Sequence, residues 1–267
     1  MPFANSELAT IHYEVRGDGP ETLLLIMGLG GHASEWGDPF LSPLAAKYRV
    51  VTMDNRGIGE STHESEAWTM FDMARDAGAV LDALGVEHAF VGGTSMGGMV
   101  AQTLAIDQPE RVARLVLMST SFGGREPAPP EPDAAAALLP VKDVPLAELH
   151  RRALKVLTGP GFADSHRELI DALADERQRV PTRGRVFKAQ FGAIVADDRS
   201  QRVRQLQLPT LVVHGDQDPL IPVENGKLLA ARIPGARFVL LEGCGHFPHF
   251  ERPVETANAI LEFLSER

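Results

Sequence analysis

Residues 89–97 read Ala89-Phe90-Val91-Gly92-Gly93-Thr94-Ser95-Met96-Gly97, a short apolar run that passes through a glycine-rich turn into a helical pattern. The last five residues match the pattern G-x-S-x-G. A strand that turns this sharply into a helix holds the central residue in a strained conformation, and small residues on either side let the two elements approach. The helix N-terminus also favours a developing oxyanion. The stretch therefore predicts a strand, a turn and a helix, with Ser95 as a nucleophile at the turn.

Short β-rich runs and helical patterns alternate on both sides of that turn. Besides residues 89–93, the runs lie at 8–15, 22–27, 49–53, 114–118, 210–214 and 237–241, and the helical patterns lie at 70–84, 98–107, 223–233 and 254–264. This alternation predicts an α/β fold with a mostly parallel central sheet flanked by helices on both faces. Residues 8–15 alternate apolar and polar side chains and are followed by a turn and an apolar run, so we expect an antiparallel hairpin that feeds a buried strand.

Residues 123–205 interrupt this alternation. They contain no convincing strand; they open with a Pro/Ala-rich linker at 126–132 and continue as helical patterns at 145–157, 164–180 and 184–196. Ligands of mostly parallel sheets bind beyond the carboxyl ends of the strands. We therefore expect a helical cap, or lid, of residues 123–205, placed over those strand ends and inserted into a core domain of residues 1–122 and 206–267.

A serine hydroxyl needs a base, and two histidines near the end of the chain are candidates. His246 directly follows a Leu-rich strand and a glycine turn, whereas His249 lies nearer the last helix, where a supporting or surface role is more natural. The base needs an acceptor that fixes its tautomer and stabilises the imidazolium. The loop after the strand at 210–214 offers Asp218, which lies deep in the loop, and Asp216, which suits capping of the turn. We predict His246 as the base and Asp218 as the acid, with the other two as alternatives.

The predicted catalytic residues are arranged along the chain in the order Ser95, Asp218, His246. This order of nucleophile, acid and histidine resembles that of the α/β-hydrolase superfamily and differs from the two unrelated serine-protease orders. The turn Asp54-Asn55-Arg56-Gly57-Ile58-Gly59-Glu60-Ser61 also resembles the D-x-R-G-x-G-x-S turn of that superfamily. The resemblance covers the chain except for the cap. It implies the α/β-hydrolase fold and a serine hydrolase that works through an acyl-enzyme.

The run Met27-Gly28-Leu29-Gly30-Gly31 resembles the oxyanion loop of the superfamily, in which a His-Gly pair precedes the donor residue. The resemblance implies that the backbone N–H groups of Leu29 and Met96 form the oxyanion hole. Met27 stands where many members have histidine, so hydrogen bonding by that side chain is not expected in this loop. The backbone donors do not depend on it.

Composition narrows the class of protein further. The chain of 267 residues is 44% hydrophobic, enough for a sizeable core, but it has no apolar run of about 18 residues that could span a bilayer. Its formal charge of −10 argues against nucleic acid or an anionic membrane as a partner. Cys244 is the lone cysteine, and no nucleotide, flavin or metal motif is present, so we expect no disulfide, no cofactor and no metal. The chain start lacks the pattern of a signal peptide, which predicts a cytoplasmic protein.

We therefore expect an enzyme that hydrolyses a carboxylic ester or lactone of a small to medium-sized organic substrate. The stretch from Thr94 to Gln102 resembles enol-lactonases, perhydrolase-type esterases and polyketide methyl esterases, and it does not choose among their substrates. Alternatives on the same fold are carbon–carbon lyases or hydrolases, cofactor-free oxygenases, and small-molecule receptors that are not enzymes. The sequence leaves the oligomeric state open, a homo-oligomer included.

Overall fold

A computed structural model describes residues 2–139 and 141–266. The strands of this part are β1 (Phe3–Ser6), β2 (Ala9–Arg16), β3 (Thr22–Ile26), β4 (Arg49–Met53), β5 (Thr62–His63), β6 (Ala89–Thr94), β7 (Val112–Met118), β8 (Thr210–Gly215) and β9 (Arg237–Leu241). Its α-helices are α1 (Asp38–Ala45), α2 (Met70–Ala83), α3 (Met96–Asp107), α4 (Pro132–Ala137), α5 (Leu146–Leu157), α6 (Phe162–Ser165), α7 (Arg167–Arg179), α8 (Gly184–Ala196), α9 (Val223–Arg232), α10 (Pro248–Glu251) and α11 (Pro253–Ser265). None of these helices is long and apolar enough to cross a membrane.

The strands form one sheet in the order β1-β2-β4-β3-β6-β7-β8-β9, with β5 paired to β2. From β4 to β9 every neighbouring pair is parallel. The pairs β1–β2, β2–β4 and β2–β5 are antiparallel. The expectation of a mostly parallel sheet is therefore confirmed, and the loops after β3, β6, β7, β8 and β9 all leave from one edge of it.

The expected hairpin between residues 8–15 and the following apolar run is wrong. Strand β2 pairs with β4, which lies between β2 and β3, and the hairpin partner of β2 is β1. The physical reason lies in the two burial patterns. All five residues of β3 are buried, and such a strand needs a neighbour on each side, which β4 and β6 supply. Apolar and polar residues alternate along β2, and its last three residues are exposed, which suits a position nearer the sheet margin.

Successive side chains of β3 point to opposite faces of the sheet and enter two separate apolar cores. Leu24 and Ile26 pack into the core covered by α2, α3 and α9. Leu23 and Leu25 pack into the core covered by α1 and α11. Helices thus cover both faces of the sheet, as the alternation of strands and helices predicts.

The segment between β7 and β8, which we call the helical insert, contains α4 to α8. In its described residues, the β-pairing outside named strands is a single bridge between Gly123 and Asp198, which joins the two ends of the insert. Near the amino end, the side-chain amide of Asn225 hydrogen-bonds both the N–H and the C=O of Ala128, at 2.6 and 2.9 Å. The helices expected at 145–157 and 184–196 are present, and the one expected at 164–180 is divided into α6 and α7.

Candidate active site

Ser95 lies at the turn between β6 and α3, where it is the N-cap residue of α3. Its backbone has φ 53° and ψ −122°, a positive-φ conformation that is costly for a residue other than glycine. The Ser95 side chain makes no capping hydrogen bond, which leaves its hydroxyl free of the helix. Helix α3 begins at Met96, two residues earlier than the sequence pattern predicts, because the turn is this tight.

The flanking glycines are required by close packing on both sides of the turn. A Cβ atom on Gly93 would overlap the carbonyl group of Gly97, and one on Gly97 would overlap the carbonyl oxygen of Ile26 in β3. Two hydrogen bonds then hold the Ser95 backbone to the end of β7. Ser95 N–H donates to the Met118 carbonyl at 2.9 Å, and Thr120 Oγ1 donates to the Ser95 carbonyl at 2.7 Å. Sequence reasoning did not find Thr120, since only the sheet order brings it to the turn.

His246 and Asp218 meet beside this strand edge although they come from different loops. The imidazole Nδ1–H of His246 donates to Asp218 Oδ2 at 2.8 Å, and both side chains are buried. The other oxygen of Asp218 accepts the N–H groups of Leu220 and Ile221, each at 2.9 Å. Burial alone raises the pKa of Asp218, but His246 and His214 outweigh it and hold the pKa of this carboxyl well below its usual range. Asp218 is therefore an ionised acceptor that fixes the orientation of the His246 ring.

The two alternative residues have other partners. Asp216 accepts the N–H of Gly243 at 2.7 Å and so ties two loops together. His249 is buried against Trp36 and Phe40, with ring centroids 4.8 and 6.1 Å away. Burial, with the charges of its surroundings, lowers the pKa of His249 to about 3, so its ring is neutral near pH 7. Neither residue takes part in the contact between Asp218 and His246.

A second histidine, which sequence reasoning missed, supports the acid. His214 is fully buried at the end of β8, and its Nε2 lies 2.8 Å from the Ile221 carbonyl and 3.4 Å from Asp218 Oδ2. His214 therefore fixes the loop that carries Asp218. Its signal in the sequence is its place as the last polar residue of an otherwise apolar strand.

The loop after β3 runs alongside Ser95. A Cβ atom on Gly28 would lie 3.2 Å from the Cβ of Ser95 and 3.8 Å from its Oγ. Within residues 2–139 and 141–266, the N–H groups of Leu29 and Met96 have no hydrogen-bond acceptor. Both N–H groups are therefore free to bond another acceptor, which is a condition for the predicted oxyanion hole.

Core residues hold the two ends of this loop. Asn55 Nδ2 donates to the Met27 carbonyl at 2.9 Å, and the buried Asp54 accepts the N–H of Ala33 through Oδ1 at 2.9 Å. Met27 itself is packed in the core covered by α1 and α11. The turn that begins at Asp54 therefore supports the loop directly, a role that the sequence pattern did not specify.

Glu251 fixes the loop that carries His246, and sequence reasoning missed it as well. Its Oε2 accepts the N–H groups of Gly159 and Gly245 at 2.7 and 3.0 Å, and its Oε1 accepts the N–H of Phe247 at 3.0 Å. The carboxyl is buried, and burial raises its pKa although the three amide donors offset part of the effect. Both neighbours of His246 are thus bonded to one side chain.

Cys244 lies in the same loop but is fully buried. Burial, assisted by the negative charge of Glu251, raises the pKa of its thiol, so the thiolate needed for nucleophilic attack is disfavoured. Among the described residues, no group of three or more His, Cys, Asp or Glu side chains has the arrangement of a metal site.

Comparison with known proteins agrees with this fold. A family model described as the alpha/beta hydrolase fold matches residues 21–253, which is most of the chain. The chain therefore belongs to the α/β-hydrolase family. It is 31% identical over 264 residues to a 2-hydroxy-6-oxononadienedioate/2-hydroxy-6-oxononatrienedioate hydrolase of Paraburkholderia phymatum, a match that covers 96% of this chain and 91% of that protein.

Two solved structures are similar over nearly the whole chain. The enol-lactonase from Burkholderia xenovorans LB400 has a TM-score of 0.86 and 25% identity, and the match covers 99% of this chain and 100% of that one. The esterase RhEst1 from Rhodococcus sp. ECU1013 has a TM-score of 0.86 and 29% identity, with 99% and 98% covered. The expected superfamily and fold are confirmed, and the chain is a hydrolase of this family. The bonds that these relatives cleave differ.

We expect Glu251→Gln to destabilise the protein by about 1–3 kcal/mol, because an amide presents an N–H₂ group to at least one of the three backbone donors. The measurement is the free energy of urea-induced unfolding of the wild type and the variant at pH 7. Glu255→Gln is the matched control, since Glu255 is exposed on α11 and should change the free energy of unfolding by no more than about 0.5 kcal/mol. Equal stability of the two variants would contradict this role of Glu251 in the loop.

Proposed function

We propose that this protein hydrolyses a carboxylic ester or lactone of a small to medium-sized organic substrate, with Ser95 as nucleophile, His246 as general base and Asp218 as the orienting acid. The observation that carries the proposal is the 2.8 Å hydrogen bond between the buried His246 and Asp218, at the strand edge where the strained turn presents Ser95. A carboxylate that fixes one imidazole nitrogen leaves the other free to accept a proton.

In the proposed acylation, Ser95 Oγ forms a bond to the substrate carbonyl carbon and passes its proton to His246 Nε2. The π electron pair of the carbonyl moves to its oxygen, which accepts hydrogen bonds from the N–H groups of Leu29 and Met96. Collapse of this tetrahedral intermediate breaks the carbon–oxygen bond, and the leaving alkoxide takes the proton from His246. With a lactone, the new hydroxyl stays attached to the acyl chain.

In the proposed deacylation, a water molecule gives one proton to His246 while its oxygen attacks the acyl carbon. A second tetrahedral intermediate forms in the same oxyanion hole. Its collapse breaks the bond to Ser95 Oγ, and His246 returns the proton to the serine. Both steps need the imidazole to be neutral before attack, and the ionised Asp218 stabilises the imidazolium that forms during each step.

Hydrolysis of a carbon–carbon bond is the second candidate. It is supported by the 31% identical relative, whose name states that it acts on 2-hydroxy-6-oxononadienedioate. The same nucleophile, base and oxyanion donors can serve attack on a ketone carbonyl, so the catalytic geometry favours neither bond. The two candidates are distinguished by the class of compound that the protein turns over.

We expect the purified protein to turn over 4-nitrophenyl acetate or a simple lactone, and Ser95→Ala to lose about 10⁶-fold in kcat. Ester cleavage is followed by nitrophenolate absorbance, and lactone cleavage by acid release at constant pH. Ser265→Ala is the control, because Ser265 is exposed at the end of α11. The activity of this variant should equal that of the wild type.

Each outcome of that assay decides between the candidates. Turnover of 2-hydroxy-6-oxononadienedioate without turnover of any ester or lactone would replace the first candidate by the second. Equal turnover by Ser95→Ala and wild type would remove Ser95 from the mechanism. No turnover of any of these compounds by folded protein would contradict an enzyme of either type and favour a receptor or an oxygenase.

We expect kcat/KM to rise with pH in a single ascending limb between about pH 5 and 8, where an imidazole loses its proton. Asp218 does not give this limb, because the pKa of its carboxyl is held below the usual range. His249 does not give it either, because its pKa is about 3. Burial raises the pKa of the nearby Glu251 carboxyl, so Glu251→Gln is the control: the ascending limb should persist in this variant if the carboxyl does not cause it. A flat profile would contradict a histidine base.

A further inference from the structure

The helical insert binds both backbone polar groups of Gly30, the residue at the centre of the predicted oxyanion loop. Gly30 N–H donates to Gln190 Oε1 at 2.8 Å, and the Gly30 carbonyl accepts the hydroxyl of Thr182, also at 2.8 Å. Gln190 lies in α8 and Thr182 lies in the segment that leads to it. Both polar groups of Gly30 are therefore satisfied by side chains that come from about 150 positions further along the chain.

Helix α8 also packs against this loop. Gly30 has φ +66°, and a Cβ atom there would lie 3.5 Å from the Phe187 ring, one turn before Gln190. Gln190 is fully buried, although glutamine is normally exposed. A buried amide is costly unless it is hydrogen-bonded, so the contact with Gly30 accounts for the acceptor half of this side chain.

Two further contacts hold the next residues of the loop to the insert. Ser34 Oγ donates to Glu176 Oε1 at 3.0 Å, and Arg177 donates through Nε and Nη2 to Glu35 Oε2 at 3.0 and 2.7 Å. The other oxygen of Glu35 accepts the N–H of His32 at 3.0 Å. Residues 30–35 are therefore clamped to α7 and α8 at several points.

The core holds this loop at two other points. Side chains of the core hydrogen-bond the Met27 carbonyl and the Ala33 N–H, which lie on either side of the predicted donor Leu29. Between those points, the N–H of His32 bonds to Glu35, and both side-chain hydrogen bonds to the Gly30 backbone come from the insert. The Leu29 carbonyl shares a peptide plane with the N–H of Gly30, so the bond to Gln190 fixes that plane and restrains ψ of Leu29, one of the angles that set the direction of the Leu29 N–H.

We propose that Gln190 is a positioning residue for the reaction: by accepting the Gly30 N–H, it orients the Leu29 N–H, and the oxyanion hole is complete only when the insert is docked on the core. This inference rests on the proposed function, because it assigns a partner to the oxyanion donor of that mechanism. Thr182 supports the same residue, Gly30, from its carbonyl side. The insert then acts on catalysis itself.

An oxyanion donor acts on the transition state and little on the bound substrate, so its misalignment lowers kcat and leaves KM unchanged. Gln190→Met tests this, since methionine has a similar length but no hydrogen-bond acceptor of comparable strength. Because a displacement of about 1 Å can cost about 10²-fold in rate, we expect kcat for a nitrophenyl ester to fall about 10- to 100-fold. Thr182→Val, which is nearly isosteric, should lower kcat in the same way by a smaller factor.

The second readout is the inhibition constant of an alkyl boronic acid, which forms a tetrahedral adduct with an activated serine. We expect the affinity of this adduct to weaken in proportion to the loss in kcat/KM, because both depend on the oxyanion donors. A residue with a merely structural role would lower the melting temperature without this proportionality. Gln205→Met is the matched control, since Gln205 is exposed and is not among the insert residues that bond residues 30–35. This variant should leave kcat, KM and the inhibition constant unchanged.

Wild-type kcat and boronate affinity in Gln190→Met would overturn the inference, and so would a raised KM at unchanged kcat. Thr182→Val replaces it as the deciding variant if Gln190→Met does not fold, because the valine substitution removes only one hydroxyl. These failures differ from failure of the proposed function. If the proposed function fails, the wild type itself neither turns over the ester nor binds the boronate. That result would contradict both the proposed function and the positioning role of Gln190.

Discussion

The close approach of β6, α3 and β3 at Ser95 is the constraint on which the rest of the site depends. Gly97 touches the Ile26 carbonyl and Gly93 touches the Gly97 carbonyl, so neither position has room for a side chain. The turn between them fixes Ser95 at φ 53°. Because β3 and β6 are parallel neighbours, this packing also sets the loop after β3 beside the serine. The predicted nucleophile and the loop that carries the predicted oxyanion donor Leu29 thereby lie side by side.

Buried carboxylates then fix the loops around that centre. Asp218 accepts two backbone N–H groups, Glu251 accepts three, and Asp54 accepts one. Hydrogen bonds to charged groups contribute about 1.5–3 kcal/mol each, and buried donors left without partners are costly. A loop held in this way does not need to reorganise when charge develops during reaction, which is the main requirement of electrostatic catalysis. The insert adds a fourth set of bonds, through Gln190 and Thr182, from outside the core.

Local patterns in the sequence predict the features that depend on near neighbours. The strand, turn and helix around Ser95 are present, as are α8 and the parallel strands β3 and β6. The expected pairing of His246 with Asp218 appears as a hydrogen bond, while the catalytic roles of these residues stay predictions.

The predicted hairpin after residue 8 was wrong because the choice between β1, β3 and β4 as partners of β2 depends on burial across the whole sheet. Two of the residues that sequence reasoning missed act over long distances along the chain: Gln190 is 160 positions from Gly30, and Glu251 is 92 positions from Gly159. Such contacts exist only after the insert has docked on the strand edge, so they follow from tertiary packing and from no local preference.

The most direct measurement of the central claim is reaction of the folded protein with a fluorophosphonate, followed by mass spectrometry of its peptides. A fluorophosphonate modifies a serine that a neighbouring base activates. We expect one adduct, on Ser95, which is absent from Ser95→Ala and forms more slowly in Asp218→Asn. An adduct on another residue, or no adduct on folded wild-type protein, would contradict the assignment of Ser95 as the activated nucleophile.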